Sequence, residues 1–290
     1  MTLKERAKDI LSEFVYFFYK HKILKNRIRV YSVDETIEEL LTTNKSLVRF
    51  GDSDIALLRG KSEARQQAYQ TLSDDLKRIL RYEYDELMVA IPDIFNGVEQ
   101  YHQKGKKFWK DQLLVTRKIY EKECNLDRVY GNAFVTRCYY LYKNKDHTDK
   151  YFQKFQKLWQ GKDVVMVEGE TSHFGVGNDL FDTAASIERI IGPSKNAYDK
   201  IAEIEKICKR YPKDRLFLVS LGAAAKPLAE KLFLNGYRVI DVGNLDMEYE
   251  WFLAKTLEKL PIPKQKIVGI EENHKAGYDE YLNQIKARVC

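Results

Sequence analysis

What the sequence lacks narrows it first. Four cysteines, Cys124, Cys138, Cys208 and Cys290, stand far apart in 290 residues, with no CxxC and no histidine at a zinc-finger spacing. That pattern excludes a disulfide-stapled scaffold and a zinc ribbon, and it predicts reduced thiols in a cytoplasmic protein. No run of about 18 apolar residues occurs, so no membrane-spanning helix is expected. A signal peptide is not expected either, because acids interrupt the basic N-terminal stretch and no small-residue cleavage site follows. Repeats, low-complexity tracts and a clear linker are missing, which favours one compact domain. A basic stripe over the whole body, the usual footprint of nucleic-acid binding, is missing too. The net charge is +6, but residues 1–30 alone carry eight Lys or Arg against three acids, leaving the remainder close to neutral. No nucleic-acid partner is expected.

What is present is a globular composition, 44% apolar and 32% charged, with 19 Tyr and 14 Phe, in a chain long enough for a substantial core. Residues 1–34 read as a basic amphipathic N-terminal extension. Leu3, Ala7, Ile10, Leu11, Phe14, Val15 and Phe18 follow the spacing of one helix face. Two readings stay open: a helix packed on the domain, or an interfacial helix through which residues 1–30 make peripheral contact with the inner face of a membrane.

Residues 35–290 form the main domain. Short β-branched or aromatic runs alternate with helix-period stretches. Strands are predicted at 47–50, 87–91, 129–135, 164–167, 187–191, 216–220 and 238–242. Helices are predicted at 62–82, 108–124, 148–159, 178–186, 196–210, 223–235 and 248–259. Such alternation implies an α/β fold, a mostly parallel sheet with helices on both faces. "DVVMVE" and "RLFLVSLG" are near-continuous apolar runs, as central parallel strands should be.

Ligands of open α/β sheets bind at the carboxyl ends of strands, and six strand ends here are polar and glycine-rich. "GDSD" puts Asp52 and Asp54 one residue apart, behind Arg49 and Gly51 and around Ser53. Carboxylates at i and i+2 can share one hard divalent ion, or can simply decorate a solvated turn. "EGETSHFGVGND" spaces Gly169, Gly175 and Gly177 ahead of an expected helix start near Asn178, suiting close backbone approach and phosphate. Glu168 and Glu170 suit acid/base work or ribose hydroxyls, with loop hydrogen bonding as the alternative for Glu168. His173 suits a phosphate contact or a surface role. In "GPSKN", Ser194 and Asn196 suit helix caps or a nucleobase contact. "LGAAAK" places Gly222 before Lys226, a point charge for phosphate or for solvent. "TRCYY" offers Arg137. "DVGNLDMEYEW" packs Asp241, Asp246, Glu248 and Glu250 together, one of which could be a general base, or which form an acidic helix start.

The segments "VRFGDSD", "GNAFVTR", "VVMVEGETSHFGVGNDLFDTAASIERIIGPSKNAYDKIAEI" and "SLGAAAKPLAEKLFLNGYRVIDVGNLDMEYEWF" together resemble the GT-D type glycosyltransferases, a bacterial family that acts in streptococcal adhesin glycosylation. The similarity runs over residues of about 35–260, and "EGE…GVGNDLFD…PSKNA" is its most specific part. The resemblance implies a Rossmann-like fold. It also implies transfer of a hexose, glucose or galactose, from a UDP-sugar to a saccharide acceptor in glycoprotein or cell-surface polysaccharide synthesis. A divalent ion, Mn²⁺ or Mg²⁺, is implied at the family's DxE motif. The matching positions are Asp52 and Asp54, so the second carboxylate is the shorter Asp. On that basis Asp52 and Asp54 hold the metal. Arg49, Arg137, the Gly169–Gly177 loop, Gly222 and Lys226 surround the nucleotide, and Glu170, Asp246 or Glu248 activates the acceptor hydroxyl. The alternatives are another nucleotide- or sugar-phosphate-binding α/β enzyme, or a non-catalytic partner subunit.

Overall fold

The structure, a computed structural model, describes residues 3–21, 23–24, 26–81, 84–95, 97–262 and 277–289. Lys22, Lys25 and Cys290, and the end of the helix expected over 62–82, lie outside them. Nine strands form one sheet: β1 (Arg29–Val30), β2 (Ser46–Arg49), β3 (Leu87–Ile91), β4 (Val129–Asn132), β5 (Asp163–Gly169), β6 (Ser186–Gly192), β7 (Leu216–Ser220), β8 (Arg238–Asp241) and β9 (Ile285–Arg288). Their order is β1-β4-β3-β2-β8-β7-β5-β6-β9, and every pairing is parallel.

Alternation along the strands divides the core. Val48, Val89, Val165, Val167, Phe217, Val219 and Val239 face one layer. Leu47, Met88, Ala90, Val164, Met166, Leu218 and Ile240 face the other. A period of two with both faces apolar is what a doubly covered parallel sheet requires. The first layer is roofed by α1 (Leu3–Lys20), α3 (Asp52–Leu58), α4 (Gln70–Leu80), α5 (Gln103–Glu123), α7 (Ile201–Cys208) and α8 (Ala225–Leu234). The second is roofed by α2 (Val33–Thr42), α6 (Thr148–Trp159) and α9 (Leu245–Leu253). A last helix, α10 (Tyr278–Gln284), leads into β9. Nothing among the described residues is long and apolar enough to cross a membrane.

Three expectations differ from the structure. No helix forms over 178–186. Its backbone is claimed from outside: Trp159 Nε1 donates to the Leu180 carbonyl at 3.0 Å, and the Thr183 carbonyl accepts from Gly161 N at 2.7 Å. The strand expected to reach Val135 stops at Asn132, whose side-chain oxygen accepts from Phe134 N at 2.9 Å and starts a tight 3₁₀ turn. Residues 62–69, expected as helix, are an irregular loop that becomes helical only at Gln70.

The helix α1 is packed on the body along one side, where Tyr16, Tyr19 and Ser12 are buried. Lys107 and Lys110 of α5 reach Asp9 at 2.6 Å and Glu13 at 2.7 Å. The opposite side is open.

Candidate functional site

The first half of the chain builds the sheet from β1 to β2 and the second half builds it from β8 to β9, so β2 and β8 meet at a seam. Beyond the ends of these two strands the connections run to opposite sides, which opens a crevice. A cleft of about 270 Å³ lies there. All six polar strand ends contribute to it, after β2, β4, β5, β6, β7 and β8, together with the 63–66 stretch and Trp109 of α5.

The seam is clasped by Arg49 and Asp241. Arg49 donates from Nη2 to Asp241 Oδ1 at 2.9 Å, from Nε to the Asp241 carbonyl at 2.8 Å, and from Nη1 to the Ala133 carbonyl at 3.1 Å. Three strand ends are thereby tied by one guanidinium, whose planar fork suits several acceptors at once. Gly243 makes room for it. Its φ is +47°, and a Cβ there would stand 1.7 Å from Arg49 Nη2.

Asp54 and Lys226 form the second clasp. Asp54 Oδ2 accepts from Gly51 N at 2.7 Å and lies 3.0 Å from Lys226 Nζ, and both side chains are buried. Burial pushes the Asp54 carboxyl up from its ordinary range, against the pull of Lys226 and the Gly51 amide. Its other oxygen, Oδ1, is buried without a hydrogen-bond partner among the described residues. Asp52, one residue to the N-terminal side of Ser53, is exposed at the cleft.

Of the residues singled out from the sequence, Arg49, Gly51, Asp52, Ser53, Asp54, Arg137, Gly169, Ser194, Gly222, Lys226 and Asp241 line this one cleft. The others do not. Glu168 is fully buried, held by Arg189 at 2.5 Å and by the Phe174 amide at 2.8 Å, so it takes the loop-bonding role. His173, at φ 45°, is buried beside Tyr281 of α10. Gly175 is required by packing rather than by a ligand, since a Cβ would stand 2.4 Å from the Phe181 ring. Gly177 sits in the same left-handed turn region, off the cleft. Asn178 starts no helix; its amide donates to Asp246 at 2.8 Å and to Glu250 at 2.7 Å. Asn196 accepts from Gln67 N at 2.7 Å and so fixes the 61–69 loop.

The three expected bases fall outside the cleft as well. Asp246 is buried against Asn178. Glu248 is buried, accepts from the amides of Tyr139 at 3.0 Å and Tyr140 at 2.7 Å, and has its carboxyl pushed up by burial. It supports the turn that carries Arg137. Glu170 is exposed beside the rim. The acids that do line the cleft are Asp52, Asp54, Asp241 and Glu63. Sequence reading passed over Glu63, Arg65 and Gln66 because "KSEARQQ" was absorbed into a predicted helix. Glu63 is half-buried and makes no side-chain hydrogen bond or ion pair with the described residues.

Four acids and four cations, Arg49, Arg65, Arg137 and Lys226, line the cleft, so its formal charges cancel. A diphosphate would need added positive charge there. Among the described residues no group of three or more His, Cys, Asp or Glu converges as a complete metal cage. The unpaired Asp54 Oδ1, with Asp52 lining the same cleft, would fit a divalent ion that takes its remaining oxygens from a bound ligand.

A family model described as "Glycosyltransferase GT-D fold" matches residues 47–270. The chain is 39% identical over 239 residues to "Probable glycosyl transferase Gly" of Streptococcus gordonii, covering 82% of this chain and 35% of that protein. It is 38% identical over 266 residues to "Glycosyltransferase GlyD" of Streptococcus pneumoniae serotype 4, covering 90% of this chain and 33% of that protein. The chain thus spans about a third of the length of the curated relatives it matches. A solved structure described as "The highly conserved domain of unknown function 1792 has a distinct glycosyltransferase fold" superposes with a TM-score of 0.86 at 34% identity, over 97% of this chain and 100% of that one.

Proposed function

The chain belongs to the GT-D fold glycosyltransferase family, and from that premise we propose that it transfers a hexose, glucose or galactose, from a UDP-sugar to a saccharide acceptor. The product would enter glycoprotein or cell-surface polysaccharide synthesis. The observation that carries this reading is a charge-balanced cleft whose buried Asp54 Oδ1 has no hydrogen-bond partner among the described residues.

Asp52 and Asp54 would hold Mn²⁺ or Mg²⁺. Such an ion supplies Lewis-acid charge for the leaving diphosphate. The chain's own groups do the rest. Lys226 pulls the Asp54 carboxyl toward its ionised form, against burial, and aims it, while its Nζ is occupied by that carboxylate. Arg137, half-buried at the cleft and free of hydrogen bonds to the described residues, would meet phosphate or sugar oxygens, with Arg65 opposite the rim. Gly169, Gly222 and Ser194 would pass close to the nucleotide. Glu63, in place of the three acids named from the sequence, would take the proton of the acceptor hydroxyl at a carboxylate oxygen.

UDP release from UDP-glucose and UDP-galactose, measured with Mn²⁺ and with EDTA, tests this. EDTA and Asp52→Ala are each expected to lower turnover at least about a hundredfold. Glu63→Gln is expected to lower transfer to an acceptor about a hundredfold with UDP binding unchanged. Turnover indifferent to EDTA and to Asp52→Ala would overturn the metal-dependent reading.

A further inference from the structure

The open side of α1 is apolar. Ile10, Leu11, Phe14 and Phe17 are 64%, 57%, 60% and 52% exposed, and Ile23, just beyond the helix, is 59% exposed. These positions recur every three or four residues and form one stripe along the helix. Its rings touch one another: Phe14 and Phe17 each lie 5.9 Å from Phe18, and Phe17 lies 4.3 Å from His21. A contiguous aromatic ridge turned outward is unusual for a surface that meets only water.

Charge indicates what covers it. Asp9 and Glu13 of α1 are drawn away from the stripe, because Asp9 is paired with Lys107 and Glu13 with Lys110. Their neutralisation by α5 leaves the basic residues of this segment in excess. Arg6 and Arg27 are exposed and make no ion pair with the described residues, and Lys20 is only 3.5 Å-paired to Glu99. An outward apolar stripe with flanking cations matches an anionic lipid surface, where rings enter the headgroup region and Lys and Arg meet phosphate. A second copy of this chain, bringing the same cations to the same stripe, would be repelled by them.

We propose that α1 docks this protein on an anionic bilayer surface through the Ile10–Phe17 stripe, with Arg6 and Arg27 supplying the charge preference. Co-sedimentation of residues 1–290 with vesicles of phosphatidylglycerol and phosphatidylcholine, against phosphatidylcholine alone, tests it. Binding to the anionic vesicles is expected to be at least about tenfold stronger and to weaken with salt. Phe14→Ser/Phe17→Ser and, independently, Ile10→Ser/Leu11→Ser are each expected to reduce it about tenfold, with unchanged thermal unfolding as the check on the fold. Arg6→Glu/Arg27→Glu is expected to remove the preference for anionic lipid. The proposal is overturned if the chain stays in the supernatant with anionic vesicles, or if both apolar double variants bind as the parent does. It is equally overturned if the chain is a dimer that the apolar variants convert to monomer without any vesicle binding, which would assign the stripe to a second copy.

Discussion

At the scale of single residues, Gly243 and Arg49 set the floor of the cleft. Any side chain at 243 would have to share space with the guanidinium and adopt a left-handed backbone. Gly243→Ala is therefore expected to lower stability by about 2 kcal/mol or more, read from urea unfolding, and to weaken UDP binding in the same protein. The cleft itself was largely legible in the sequence, since polar strand ends converge in any parallel sheet and eleven of the residues picked on that basis line it. The direction of side chains was not legible. Glu168 ends a central strand and turns into the core toward Arg189, and Asp246 and Glu248 turn inward on α9 toward Asn178 and the Tyr139–Tyr140 amides. Acidity near a strand end says nothing about which side of the chain it faces, and so Asp246 and Glu248 lie off the cleft while Glu63, which no strand-end signal marks, lines it.

At the scale of elements, runs such as Val164–Val167 announced their strands because both of their faces are apolar. The helix α2, which is not among the predicted helices, starts on a capping box of Ser32 and Glu35, with Glu35 N donating to Ser32 Oγ at 3.1 Å. The 178–186 stretch misled because its carbonyls and amides are satisfied by α6 and the turn after it, which no local pattern encodes. The attachment of α1 depends on a small polar hub. Glu99 accepts from Tyr16 Oη at 3.1 Å and pairs with Lys106 and Lys20. Its bond to Lys106, helped by Tyr16 and Lys20, holds its carboxyl down at about 2, well below the ordinary 4.5. A lowered carboxyl stabilises the folded state fully above the ordinary value and loses that contribution as pH falls through 4.5 toward about 2. Pepsin cleavage within α1 is expected to accelerate across that window ahead of cleavage in the sheet, and Glu99→Gln is expected to abolish the pH-dependent difference.

At the scale of the whole molecule, the seam between β2 and β8 joins the early and late halves of the sheet. It holds through few strand pairings, Leu47 against Ile240 among them, and through the Arg49–Asp241 clasp, in which the side chains are 11% and 3% exposed. Asp241→Ala leaves the guanidinium buried without its carboxylate and is expected to cost about 3–5 kcal/mol, seen as a lowered midpoint for the entire unfolding transition rather than as local fraying. Residues 49 and 241 lie 192 positions apart. During synthesis at a typical rate, roughly ten to forty seconds separate the emergence of one from the emergence of the other. Through that interval β2 can pair with β3 while its other edge stays bare, open to any strand that passes. The cleft therefore takes shape late, once β8 has emerged, with α9, α10 and β9 still to follow among the described elements. A nascent chain can bury much of its core early, yet it has nowhere to hold a ligand until β8 arrives.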